Sequence, residues 1–416
     1  MKRNLSILLI VSMLLIFSAV SMAETEIRIS GTGGIDLSIV EELIESFVVP
    51  ELAGTGITAI YEPIVDDYQG NLINTLSAGT AGDLFYMDIF WAEYIIKAGQ
   101  IEPLDDYLAK STVISKDDII PSLLDAFSFD GKAYGIPKDF NSLALFYNKD
   151  HFDIAGVDYP NENDTWEDLE NKLAKVVEAF GGEVEGIALA PDFARFGVFP
   201  YAAGWEPFVD GKTNLMDPAF KEAFSWYTGL KEKGLGVMPA DVGQGWNGGA
   251  FAIEKVAVAF EGGWVLGFLR DEAPNLKYGA TLLPKNSKTG QPGNLIYTVA
   301  WGMNANSKNK DAAFKVMEAL TSPAAQQFIL ERGLAIPSRK ALADNPYFEK
   351  DTPEAQANKI VFEGASAGYV KPFKFKEYGG KWMDPINVAL SEVMSGQKTV
   401  DEALEMAQEQ LDELMK

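Results

Sequence analysis

The chain contains no cysteine and a single histidine, His151. Without a thiol there is no cysteine nucleophile, no disulfide framework and no cysteine-held metal. One histidine cannot build a histidine-rich zinc site. A Ser-His-Asp triad would have to use His151, yet no G-x-S-x-G turn is present, so His151 is expected on the surface at the end of a strand. Basic residues are also scarce: 35 Lys and Arg face 60 Asp and Glu, for a net charge of −25. Such acidity repels phosphate backbones, so no nucleic-acid partner is expected. Phosphate-binding glycine patterns are missing too. Gly31-Thr32-Gly33-Gly34 has Asp36 where a dinucleotide fingerprint needs its third glycine, and there is no P-loop lysine motif. Asn161 to Asp164 offers oxygen ligands but lacks the glycine and final glutamate of an EF-hand, so a solvated loop and no metal are expected. No cofactor is implied.

Only one long apolar run occurs, from Leu5 to Val20, after Lys2 and Arg3 and before Ser21-Met22-Ala23. Basic start, apolar middle and small residues at a cut after Ala23 read as a cleaved export leader, residues 1–23. The product is expected to be periplasmic or extracellular, with no cysteine to take a lipid. The remaining length exceeds one ordinary core, so two domains are expected, and 47% hydrophobic residues can fill both.

Along the chain, Ile27 to Ile29 alternates like a strand. Val40, Leu43, Ile44, Phe47 and Val48 form one helical stripe. Ile57 to Tyr61 and Asp83 to Ile89 read as strands, with a helix between them from Asp67 to Leu76. Alternation of this kind indicates α/β lobes with largely parallel sheets. Thr165-Trp166-Glu167-Asp168 opens a further helix, with Thr165 as its cap and Trp166 as packing. Val400, Leu404, Ala407, Leu411 and Leu414 stripe a last one.

Four of the eight tryptophans adjoin a glycine: Trp205, Trp246, Trp264 and Trp301. Rings in glycine-permitted turns project toward a surface or cleft, and an aromatic face suits the C–H face of a pyranose. Plugging a lobe interface is the alternative role for them. Paired carboxylates are too numerous to be informative, which leaves a secreted carbohydrate-active enzyme as an alternative function.

Four ordered segments carry a resemblance. They are Gly82-Asp83-Leu84-Phe85-Tyr86-Met87-Asp88 with Trp91 and Ala98 to Tyr107; Asp130 to Pro137 continuing to Leu145-Phe146-Tyr147-Asn148-Lys149-Asp150; Phe260-Glu261-Gly262-Gly263-Trp264; and Ser307 to Leu320 with Gly333 to Ser338. Together they resemble the extracellular solute-binding proteins of family 1, the carbohydrate receptors of ABC importers. The resemblance implies a two-lobed periplasmic-binding-protein fold, each lobe a mostly parallel sheet flanked by helices. It implies an N-terminal lobe of residues 24–138 plus 284–322 and a C-terminal lobe of 142–278 plus 326–416. Three hinge crossings would lie near 138–141, 278–283 and 322–325. It further implies a monomer that is not an enzyme, a mono- or oligosaccharide ligand and a membrane permease as partner. A receptor for a polyol, glycerophosphodiester or compatible solute is an alternative. Strand ends face the cleft in such sheets, which nominates Gly33, Gly34, Asp88 and Trp91, with Asp139 and Asn141 at the first crossing. From the second lobe it nominates Trp205, Trp264 and Trp382 as stacking rings and Glu206 as an acceptor, while Trp301 borders the cleft. Asp88-Ile89-Phe90-Trp91 stands where maltose-type receptors carry charged residues, which points away from linear maltodextrins.

Overall fold

The computed structural model describes residues 24–416; the expected leader lies outside them. The strands are β1 (Thr25–Thr32), β2 (Ile57–Ile64), β3 (Leu84–Asp88), the hairpin β4 (Ser128–Phe129) and β5 (Lys132–Ala133), and β6 (Gly135–Asn141). They continue with β7 (Ala144–Asn148), β8 (Glu185–Ala188), β9 (Gly236–Val237), β10 (Val256–Glu261), β11 (Tyr278–Thr281), β12 (Gly293–Met303), β13 (Ile336–Pro337) and β14 (Tyr369–Pro372).

Two large sheets result. The first has the order β13-β6-β12-β3-β1-β2, with β14 beside the start of β12, and the second has the order β11-β7-β10-β8-β9. Each contains three mutually parallel strands, β3-β1-β2 and β10-β8-β9. Antiparallel strands join each trio on its crossing side: β12 and β6 in the first sheet, β7 and β11 in the second. This is the expected α/β two-lobed architecture, with mixed rather than uniformly parallel sheets. All six residues of β10 are buried, as a strand covered on both faces requires.

Local chemistry explains the element ends. Helix Ile35–Leu43 continues as a five-residue wide turn, Ile44–Val48, and buries the predicted stripe. Asp67 caps helix Tyr68–Ala78 by accepting from the Gly70 amide at 3.2 Å. Thr165 and Asp168 form a reciprocal capping box on helix Trp166–Ala179, and Trp166 stacks on Trp226 with 4.8 Å between ring centres. Helix Val400–Leu414 ends the chain as its pattern predicts.

Three expectations change. His151 is not at a strand end on the surface. It is buried in the first turn of helix Lys149–Ala155, its amide donating to the capping Asn148 Oδ1 at 3.1 Å, and burial lowers its pKa. The 161–164 loop is not simply solvated, because Asp164 is buried and binds Lys172 at 2.6 Å. The chain also does not leave the first sheet near 322–325. Helix Pro323–Glu331 packs Ala325 and Ile329 into the first sheet's core, and β13 pairs with β6. Leu330 and Ile336 already touch the core that includes Phe146 of β7 and Tyr278 of β11, and helix Pro353–Gly364 then packs directly on those two strands. Proline at the helix's first position starts this helix rather than marking the crossing.

Gly293 opens β12 against helix Val198–Ala202, where a Cβ would overlap the Val198 carbonyl oxygen and the Ala202 amide nitrogen. Neither backbone atom can rotate away. Gly293→Ala is therefore expected to destabilise the fold by about 1–3 kcal/mol, the usual cost of overpacking. Urea unfolding measures this, and an unchanged midpoint would contradict the packing described.

Candidate functional site

The carboxyl ends of both parallel trios point toward the crossings, where open α/β sheets place their ligands. In the second sheet, β10 ends at Glu261 and β8 leads to Asp192, which caps the short helix Phe193–Phe196 carrying Arg195. Glu261 Oε2 accepts from Arg195 Nε at 3.2 Å, from Arg195 Nη2 at 2.9 Å and from the Trp264 indole N–H at 2.6 Å. The Arg195 guanidinium also lies 5.0 Å from the Trp264 ring centre. Tyr297 of β12 meets that ring edge-on at 5.4 Å and donates its hydroxyl to the Ala194 carbonyl. Burial works against charge on Arg195, but Glu261 and Asp192 outweigh it and raise the pKa above its ordinary value. The indole is thus held by its N–H, one face and one edge. Glu261 is fully buried, and its Oε1 receives no hydrogen bond from any described residue.

In the first sheet, Asp88 ends β3 and caps helix Ile89–Lys97, accepting from the Phe90 amide at 3.2 Å. Val299 of β12 pairs with Asp88 on one side and Asp139 on the other. Lys138 pairs with Asp139 and sits 4.8 Å over the Tyr86 ring. The Asp88 carboxyl is pushed up to about 7, first by burial and then by Asp139, against the pull of the Phe90 amide and Lys138. Two residues of one strand, Tyr297 and Val299, therefore separate the aromatic group of the second sheet from the acidic group of the first.

Some nominated residues have structural work instead. Asn141 is buried and its Oδ1 accepts from the Gly263 amide at 2.9 Å, tying β6 to the turn after β10. Gly33 donates its amide to the Ile64 carbonyl at 3.2 Å, so that N–H is not offered to a ligand. Gly34 is exposed at φ 71°, ψ −133°, a backbone that favours glycine. Glu206 is exposed and bound to Lys371 at 2.5 Å.

Four tryptophans expected at the ligand are core residues: Trp91, Trp205, Trp301 and Trp382 expose 2%, 3%, 1% and 0% of their surface. Trp205 donates to the Asn214 carbonyl at 2.9 Å and Trp382 to Thr213 Oγ1 at 3.0 Å, while Trp382 stacks on Phe375 at 4.5 Å. Trp301 lies near the end of β12 against Tyr86 at 4.7 Å, and Trp91 packs on Tyr68. At Trp301 the strand runs straight through Gly302, while Trp205 does follow a turn at Gly204, φ 93°, that directs its ring inward. Trp246 stands just before helix Asn247–Ala252, makes no capping bond and packs on Phe268 at 5.0 Å. Of the nominated set, Asp88, Asp139 and the half-buried Trp264 gather at the crossings, with Asn141 as their strut.

Arg195, Glu261, Tyr297 and Lys138 went unnominated. Glu261 stands inside the Phe260-to-Trp264 motif, and Arg195 follows an apolar strand by only a few residues; both positions carried a signal. Tyr297 carried none.

The chain matches the model of the bacterial extracellular solute-binding protein family over residues 48–357. It belongs to that family. A binding protein of Brucella abortus is 32% identical over 289 residues, covering 67% of each chain. The galactooligosaccharide-binding protein of Bacillus subtilis is 24% identical over 298 residues, covering 67% of this chain and 65% of that one. An ABC substrate-binding protein from Listeria monocytogenes, solved in complex with cycloalternan, superposes with a TM-score of 0.84 at 23% identity, covering 94% of this chain and 99% of that one. A maltose-bound T. maritima protein does so at 0.79 and 19%, covering 94% and 100%. These likenesses establish the two-lobed fold.

Asp88 makes this solute-binding protein's stability depend on pH. Its folded pKa lies above the unfolded value of about 4, so the folded state keeps a proton that the unfolded state releases between about pH 4 and 7. The stabilisation is complete below that window and is lost as pH rises through it. Asp88→Asn can still accept from Phe90 but does not titrate. Its melting temperature should gain on the wild type from pH 4 to pH 7; a constant difference would contradict the assignment.

Proposed function

We propose that this solute-binding protein is the receptor of an ABC importer that captures a neutral mono- or oligosaccharide between its two lobes and hands it to a membrane permease. The observation that carries this reading is the immobilised indole of Trp264 beside a carboxylate and against Tyr297, two residues along β12 from the Val299 that pairs with Asp88 and Asp139. A fixed ring supplies an apolar platform for C–H groups, and carboxylates accept from hydroxyls in set directions. Even with Asp88 left out, Glu261, Asp192 and Asp139 outnumber Arg195 and Lys138 there, which disfavours phosphorylated or carboxylated solutes. Relatives support the same class: one is a galactooligosaccharide-binding protein, and fold relatives are bound to cycloalternan and maltose.

The first lobe comprises β1 to β6, β12 and β13, the second β7 to β11 with the C-terminal helices, and the hinge lies at 142–143, 282–292 and beyond Pro337. Hinge closure of this kind is known behaviour of periplasmic binding proteins. Ligand drives it only by binding the closed form more tightly than the open one, which requires contacts from both lobes. No described helix is long and apolar enough to cross a membrane, and the leader at 1–23 exports the chain.

A thermal-shift panel of glucose, galactose, mannose, mannitol, tagatose, maltose, maltotriose and mannobiose tests the reading, since a ligand of the folded state raises the melting temperature. At least one sugar should do so. Trp264→Ala should weaken that binding by about 1–3 kcal/mol, as for one lost stacking contact. A panel inert except for mannitol would assign a polyol instead, and unchanged affinity in the variant would remove Trp264 from the site.

A further inference from the structure

Glu261 is held in a way its packing role does not require. Both of its protein donors, the Arg195 guanidinium and the Trp264 indole, converge on Oε2. Oε1 is equally buried and has no donor among the described residues. A buried carboxylate oxygen left without a donor is costly, and charge makes it more so. The position is no accident of a loop, because Glu261 is the last residue of a strand whose six residues are all buried. Arg195 and the indole are donors only, so they also fix which oxygen is consumed and which is left.

We propose that Glu261 is a specificity-determining residue, whose Oε1 accepts a hydrogen bond from one hydroxyl of the bound sugar and so rejects sugars that cannot donate there. This rests on the sugar reading above. A site built to bind a hydroxyl discriminates far more strongly against its absence than an apolar pocket discriminates against an extra group. The same geometry dictates what an amide does at this position. In Glu261→Gln the amide oxygen must face the guanidinium and the indole, because both can only donate. The amide N–H groups then face the sugar, and the demand reverses from donor to acceptor.

The test is calorimetric titration of a sugar that raises the melting temperature in the panel above, together with each of its singly deoxyfluorinated forms. Fluorine replaces a hydroxyl without an O–H to donate. The wild type should lose ~100-fold or more in affinity at one ring position. In Glu261→Gln the parent sugar should bind more weakly, and the penalty for fluorine at that position should shrink by at least about tenfold. Wild-type tolerance of fluorine at every position would overturn the assignment, as would an unchanged positional preference in a folded variant. If the variant does not fold, the wild-type series decides alone. A panel in which no sugar binds at all would instead remove the sugar reading, and this inference with it.

Discussion

The antiparallel pairing of β6 with β12 at the crossing is the constraint on which the rest of the molecule depends. Its polar groups are buried and satisfy one another. Thr298 Oγ1 donates to the Asp139 carbonyl at 2.6 Å, Asn294 bonds both the amide and the carbonyl of Leu143 at 3.0 and 2.8 Å, and Ser142 donates to the Val361 carbonyl at 2.6 Å. Each such bond contributes about 0.5–1.5 kcal/mol net, but an unpaired partner at that depth costs about 1–3 kcal/mol. The pairing shifts register once, at a bulge between Val299 and Ala300, and on the crossing side of that bulge the network holds one register. That register places Val299 between Asp88 and Asp139 and Tyr297 opposite Asn141.

From this register the two faces of the site follow. β7 and β11 pair in the second sheet as β6 and β12 do in the first; two residues join β6 to β7, while residues 282–292 join β11 to β12. The parallel trios attach to these antiparallel pairs, with Trp264 against Tyr297 and Asp88 paired to Val299 two residues further along the same strand. Contacts between lobes extend outward from there: Phe90 meets Phe373 at 5.6 Å and Lys97 meets Glu377 at 3.2 Å. The Lys97 pair is partly solvated and contributes little. The aromatic contacts and the strand pairing at the crossing dominate.

The lobed α/β fold was legible because helix stripes and strand alternation are local: Val40 to Val48, Ile57 to Tyr61 and the Thr165 cap all lie where their patterns put them. The motif around Trp264 was legible for the same reason. The fates of Trp205 and Trp301 were not, because a glycine neighbour is a local sign while burial is set by partners elsewhere in the chain such as Phe220 and Tyr86. Asn141 read as a ligand acceptor because its bond to Gly263, 122 positions away, has no local trace. Tyr297 was invisible for that reason too. The third crossing was misplaced because proline starts helices as readily as it ends segments.

The central claim is that ligand is held between lobes that close on it, and a distance from one lobe to the other tests it most directly. Val65 lies just past β2 in the first lobe and is 79% exposed; Val209 lies in the second and is 59% exposed. The chain has no cysteine, so Val65→Cys with Val209→Cys accepts spin labels at those two positions alone. Pulsed electron–electron resonance should show a broad distance distribution without ligand. It should become shorter and narrower on adding a sugar that raises the melting temperature. A distribution unchanged at saturating sugar would contradict capture between the lobes.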